Sequence, residues 1–194
     1  MATAGRSEFG TKRRAQLFDA LVEIFLAEGF VHLTLDDIAG RLHCSKSTLY
    51  TLAGSKEQLV SLGVVHFFRR ATLDVEKRVA EVNGARELIS TYLAAVGDVL
   101  AVASPQFMAD LDAFAPAREA YELNTRMAAQ RVQQMIADGV ARGEFRKVHA
   151  AFAADLASTM MVRIQQRAVQ RSVGLDDAAA YRELAAILTS GITA

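Results

Sequence analysis

The sequence predicts an all-α fold: a small N-terminal helical unit, then a larger C-terminal helical domain. Three observations predict it. Apolar residues recur at spacings of three and four along most of the chain, as they do on helices with one buried face. No stretch shows the period-two alternation of a strand. Only two prolines interrupt 194 residues, of which 52% are hydrophobic, ample for a packed core.

Residues 1–10 are polar and contain glycine, with no apolar run for a signal peptide, so a disordered lead is expected there. Residues 11–56 form the small unit. Its first helix buries Leu17, Leu21, Ile24 and Phe25. Gly29 supplies a left-handed residue after the helix end, and Phe30 can fold back onto Phe25. Lys12, Arg13 and Arg14 fall at the expected start of this helix, where they oppose its dipole. Either a phosphate backbone favours them there or they form a solvated charge run.

Leu35 to Lys56, LDDIAGRLHCSKSTLYTLAGSK, reads as two short helices, a tight turn between them, and the start of another helix. Ile38, Ala39 and Leu42 make one apolar stripe, and Leu49 with Leu52 makes the next. Thr34 can cap the first of these helices with Asp37 completing a capping box, Ser45 can cap the second, and Ser55 the third, with Gln58 three positions on. Lys46, Ser47 and Thr48 then occupy the first turn of the second helix, within reach of base edges or phosphates for a helix lying in a DNA groove. Lys56 opens the third helix, beside free backbone N–H groups that can hold a phosphate. The size and pattern are those of a helix-turn-helix. The alternative is an ordinary three-helix packing unit with polar caps.

Over Leu17 to Leu59 the chain resembles the DNA-binding domain of the tetracycline-repressor (TetR) family. The residues that carry the resemblance are Phe25, Gly29, Phe30, Thr34, Leu35, Ile38 and Ala39, then Ser45, Lys46, Thr48, Leu49 and Tyr50, then Ser55, Lys56 and Leu59. The resemblance implies a transcriptional repressor that binds double-stranded operator DNA as a homodimer and releases it when a small molecule binds the C-terminal domain. It implies that Thr34, Tyr50 and Lys56 hold phosphates, and that Lys46, Ser47, Thr48 and Thr51 face bases or nearby backbone. Three positions depart from the family pattern. His43 stands where the turn usually has Gly, and His tolerates a left-handed backbone better than most residues. Leu52 and Ala53 stand where aromatic or polar residues are common, and the Leu52 side chain has no group to hold a phosphate.

Residues 57–194 form the larger domain, expected to bind an effector and to dimerise. The helix from Lys56 continues to about Val82, with Gly63 allowing either close approach of another helix or a hinge. Leu88 to Ala109 is the most apolar run, with Asp98 its one charged residue. A central Asp costs about 2.5–3.5 kcal/mol in a bilayer, and Gly97 and Pro105 lie inside the run. A buried helix ending near Ser104 is expected rather than a membrane span. Pro105, with Ser104 as cap, opens a short helix. Another helix runs from Pro116 to about Ala141, one from Val148 to about Arg171, and the last starts at Asp176 or Asp177.

The final two helices carry Phe152, Leu156 and Met160, and Tyr181, Leu184 and Leu188, each set on one face among alanines. Paired with a second copy they make a four-helix dimer interface; otherwise they face the chain's own core. A two-fold dimer suits a palindromic DNA site. For a ligand, Phe107, Met108, Phe114 and Tyr121 with Met127 and Met135 offer an adaptable apolar lining. Tyr92, Asn124, Thr159 and Gln166 are polar residues in apolar surroundings that can orient one. Core packing is the plain alternative for each. Arg163, Arg167 and Arg171 recur at spacings of four as a basic stripe, either solvated or facing an acidic ligand. The expected effector is apolar or amphipathic.

Other chemistries find little support. His32, His43, His66 and His149 are scattered without metal-ligand spacing, and no glycine loop cradles a phosphate. No metal, cofactor or enzymatic activity is expected. The single cysteine, Cys44, excludes an internal disulfide and suits the cytoplasm; it serves apolar packing or, alternatively, as a redox-sensing thiol. A formal net charge of zero leaves DNA binding to a local positive face. A regulator controlled by a partner protein, or by no effector, is the alternative function, and an enzyme in the helical domain a weaker one.

Overall fold

The computed structural model describes residues 3–146 and 148–192. Among these residues there are ten helices and no strand: α1 (Thr3–Glu28), α2 (Leu35–Arg41), α3 (Lys46–Leu52), α4 (Lys56–Val79), α5 (Ala85–Ala101), α6 (Pro105–Ala113), α7 (Ala115–Ala141), α8 (Ala150–Gln165), α9 (Ala168–Val173) and α10 (Asp177–Ile192). No single helix among them is long and apolar enough to cross a membrane.

Two expectations about helix bounds change. The lead expected over 1–10 is helical from Thr3. Extending an existing helix costs far less than starting one, which favours continuing α1 upstream. Met1 and Ala2 lie outside the described residues. Lys12 to Arg14 therefore sit inside α1 rather than at its start. Secondly, the helix expected from Val148 to Arg171 breaks at Arg167, whose φ is +58°. The break divides the basic stripe: Arg163 and Arg171 are exposed, while Arg167 is mostly buried, its Nη1 2.7 Å from Oδ1 of the buried Asp177.

The chain forms two compact units, and their boundary differs from the expected split after residue 56. The first comprises residues through Arg69 with Ala103–Ala120; the second comprises Arg70–Val102 with the residues from Tyr121 onward. Pairing explains why α6 joins the first unit. Ser104 N donates to Leu26 O at 2.8 Å, and the Asp110 carboxylate accepts from Phe30 N and Val31 N at 2.6 and 2.8 Å. Rings pack beside these bonds: Phe30 lies 5.4 Å from Phe25, 6.0 Å from Phe107 and 6.1 Å from Phe114, and Phe67 lies 5.8 Å from Phe107, mostly edge to face. Gly63 serves close approach, since a Cβ there would lie 3.0 Å from the Phe25 ring.

Within the second unit α10 packs along α5. A Cβ at Gly97 would lie 2.9 Å from the Ala178 carbonyl, so the small residues of both helices let their backbones approach. Tyr181, Leu184 and Leu188 are buried on this side. These three were expected at a dimer interface; they face the unit's own core because α5, the most apolar helix, needs a partner. Phe152 and Leu156 on α8 are instead exposed, at 66% and 53%, and Met160 is half-buried.

Candidate DNA-binding surface

The helix-turn-helix is built by local capping. Thr34 Oγ1 accepts from Asp37 N at 3.1 Å, while the Asp37 carboxylate accepts from Thr34 N at 2.8 Å and from the Thr34 hydroxyl at 2.6 Å. Those bonds, the hydroxyl's first, hold the Asp37 carboxyl below its ordinary pKa, with His32 and Lys56 adding smaller effects. The turn passes through His43 at φ +48°, in the left-handed conformation its position requires, and Cys44 N returns to Ala39 O at 3.0 Å. Cys44 is half-buried, and burial pushes its thiol pKa up, which suits packing rather than redox sensing.

Ser45 caps α3, accepting from Thr48 N at 3.2 Å. Its hydroxyl also bonds those of Ser47 at 2.7 Å and Thr48 at 2.9 Å, a small polar cluster at the helix start. Leu49 and Leu52 are buried beneath. Lys46, Ser47, Tyr50 and Thr51 stand on the opposite, exposed face, Tyr50 at 55% exposure. The Thr51 hydroxyl donates to Thr48 O at 2.6 Å. Lys46 pairs with Asp36 at 2.7 Å, and that hydrogen bond and charge raise the lysine's pKa. The pair is exposed and screened by water, weak enough for another anion to replace Asp36.

At the start of α4, Ser55 caps by accepting from Gln58 N at 3.1 Å, and Lys56 Nζ donates to Val31 O at 2.7 Å. Seven of the eight expected DNA-facing residues are thus on or beside α3 and α2, and Lys56 opens the next helix. Phosphates suit this ensemble through hydroxyls, ammonium groups and helix N-termini.

Sequence reasoning missed three participants. Arg14 closes the other end of α3, its Nη1 and Nη2 donating to Thr51 O at 3.0 Å and Leu52 O at 2.9 Å. A cation at a helix C-terminus is favoured by the dipole. Its signal was the Lys12–Arg14 run, whose function depended on where α1 begins. Asp36 as the partner of Lys46 and Asp110 as the partner of the α1–α2 turn needed tertiary placement.

The ten residues expected around a ligand are divided between the two units. Phe107, Met108 and Phe114 belong to the first unit, where Phe107 fills its aromatic cluster. In the second unit Tyr92, Tyr121 and Met135 are buried, Asn124 is half-buried, and Met127, Thr159 and Gln166 are exposed. Helical phase explains the misplacements: Thr125 and Gln165 take the buried positions beside Asn124 and Gln166. What the second unit does hold is a buried polar group. Tyr121 donates to Asp177 Oδ2 at 3.4 Å, Asp177 pairs with Arg167, and burial drives the Tyr121 pKa far up, with Tyr181 and Asp177 acting in the same direction. Arg167 Nη2 and Thr125 Oγ1 are buried there without a hydrogen-bond partner. Among the described residues no group of His, Cys, Asp or Glu is placed to hold a metal ion.

Comparison with known proteins bears on both units. The family model of bacterial regulatory proteins, tetR family, matches residues 17–61, the span from α1 into α4. Curated protein sequences give no match. Among solved structures, a TetR/AcrR-family transcriptional regulator from Thermobifida fusca is 22% identical, with TM-score 0.64 over 93% of this chain and 98% of that one. A transcriptional regulator from Saccharomonospora viridis in complex with choline is 17% identical, with TM-score 0.68 over 95% and 99%. The regulator FadR from Bacillus subtilis in complex with stearoyl-CoA is 16% identical, with TM-score 0.65 over 91% and 98%. The similarity therefore extends in fold across both units.

Proposed function

We infer the role of the molecule from one premise: the chain belongs to the tetR family of bacterial regulatory proteins and regulates transcription through its helix-turn-helix. On that premise it is a repressor that binds a palindromic operator as a homodimer. The observation that carries this reading is the division of α3, with Leu49 and Leu52 buried and Lys46, Ser47, Tyr50 and Thr51 presented outward. Such a helix has a face to enter a major groove and a face to hold it on the domain. Thr34, Tyr50 and Lys56 take phosphates; Lys46, Ser47, Thr48 and Thr51 read bases or the adjoining backbone, with Ser45 shaping their turn. Exposed Phe152 and Leu156 on α8 supply the dimer contact.

The test is selection of bound sites from a randomised duplex library. A two-fold-symmetric motif is expected. Lys46→Ala, Thr48→Ala and Thr51→Ala should change which bases are selected. Tyr50→Phe and Lys56→Ala should weaken all sequences alike. An unchanged motif for all three α3 variants contradicts the division.

The second unit responds to a small molecule on this reading. Arg167 Nη2 and Thr125 Oγ1 support it, each a buried donor left to pair with an acceptor of an otherwise apolar or amphipathic ligand. The neighbours crystallised with choline and stearoyl-CoA are compatible with a small-molecule effector. A coupling of about 1–3 kcal/mol changes operator affinity roughly 5–150-fold, and by linkage the operator changes ligand affinity equally. Calorimetric titration of the ligand into free and operator-bound protein checks this; equal affinities exclude it.

A further inference from the structure

We propose that Asp110 is a positioning residue for DNA binding: from α6 it fixes the α1–α2 turn, and through Val31 it sets the ammonium of Lys56 for its phosphate. The proposal rests on the phosphate role assigned to Lys56 above. It starts from a buried carboxylate. Asp110 is only 4% exposed, and apolar surroundings tolerate a carboxylate only where hydrogen bonds replace its water. Here one oxygen, Oδ2, accepts from the successive N–H groups of Phe30 and Val31 at 2.6 and 2.8 Å. The other, Oδ1, accepts from Gln106 Nε2 at 2.7 Å.

The turn is shaped to receive that oxygen. Gly29 precedes it at φ +84°, which allows consecutive N–H groups to converge on an anion. Gly29 is also needed for space, because a Cβ there would lie 2.5 Å from Oδ2. Bonds to an ionised acceptor are about twice as strong as neutral ones, so residues 30 and 31 are held firmly.

Val31 links this anchor to the DNA-facing surface. Its N–H is bound by Asp110, and its carbonyl accepts from Lys56 Nζ at 2.7 Å. A lysine ammonium has three N–H groups, so two remain for a phosphate. A four-carbon stem is otherwise free to sample many rotamers, and the entropy given up on ordering it weakens binding. Asp110 thus orders the stem beforehand, from a helix more than fifty positions along the chain.

The experiment is fluorescence anisotropy of the full chain on a random-sequence duplex across a range of salt, with folding checked by circular dichroism. Lys56→Ala should reduce the slope of log affinity on log salt by about 0.9 for each phosphate it no longer neutralises. An unchanged slope there overturns the Lys56 assignment itself. Given that reduction, Asp110→Ala should lower the slope similarly, and the double variant should add nothing. Asp110→Asn should restore it, because an amide oxygen still accepts both N–H groups and Gln106 can turn its own amide to match. Loss of fold stability alone would leave the slope of the folded fraction unchanged. A folded Asp110→Ala with the parent slope, or an additive double variant, overturns the proposal. Should Asp110→Ala not fold, the exposed Gln106→Ala decides: it should weaken duplex binding roughly two- to threefold, an effect absent beside Lys56→Ala. Unchanged binding in Gln106→Ala then overturns the proposal.

Discussion

Helices α8 and α10 carry the same sequence signal and end in opposite environments. Phe152, Leu156 and Met160 recur at spacing four; Tyr181, Leu184 and Leu188 recur at three and four. Yet Phe152 and Leu156 face outward, whereas Leu184 and Leu188 are buried along α5. Periodicity tells that a helix has an apolar face. It does not tell which neighbour covers that face, since a core helix and a partner subunit ask for the same spacing. The deciding feature is Gly97, which lets the α10 backbone come close to α5.

The sharpest way to break this contrast is to place a charge on each face. Leu184→Asp or Leu188→Asp should cost about 3–5 kcal/mol in urea unfolding, through poorer packing and an unpaired buried charge. A cost under about 1 kcal/mol would return those residues to the surface. Next comes the ion pair that starts α10. Arg167→Met removes the partner of buried Asp177 and should cost about 3 kcal/mol, read from the same melts. Gly97→Ala should cost about 1–3 kcal/mol, because the new methyl meets the Ala178 carbonyl and the helices must separate.

On α8 the expectation reverses. Phe152→Glu with Leu156→Glu should change unfolding of the subunit by no more than about 0.5 kcal/mol per site. Sedimentation should instead show the dimer dissociating at concentrations where the parent chain stays paired. A parent chain that sediments as a monomer at all accessible concentrations would remove the interface. The smallest effect concerns the cap of α2. Asp37 has a lowered pKa in the folded chain, so its contribution is complete above the ordinary carboxylate value and lost as pH falls through the lowered one. Amide protection factors at the start of α2 should therefore fall in that acid window, and Asp37→Asn should remove that fall.

Local chemistry made the caps and the exposed face of α3 legible. Caps act within three or four residues, so Thr34, Asp37, Ser45 and Ser55 could be assigned from spacing, and so could the left-handed place of Gly29, whereas that of His43 came from the family resemblance. The outward set on α3 followed from the buried pair Leu49 and Leu52 in the same way. Which of the expected ligand residues are buried was not legible, because they were chosen for type, and type does not fix helical phase. Met127 and Gln166 lie one position or more off the buried face, and α6 took Phe107 and Phe114 into the first unit.

Most of the helices, the caps of α2 to α4 and the helix-turn-helix can be read from residue order alone, because each depends on residues a turn or two apart. Packing in three dimensions was needed to show that α6 braces the α1–α2 turn, that Arg14 closes α3, that Lys46 pairs with Asp36, and that Leu184 and Leu188 of α10 are buried while Phe152 and Leu156 of α8 are exposed. Those outcomes join side chains to groups elsewhere in the chain: Asp110 reaches Phe30 and Val31 across about eighty residues. A buried carboxylate must find donors somewhere, but its own sequence neighbourhood does not say where.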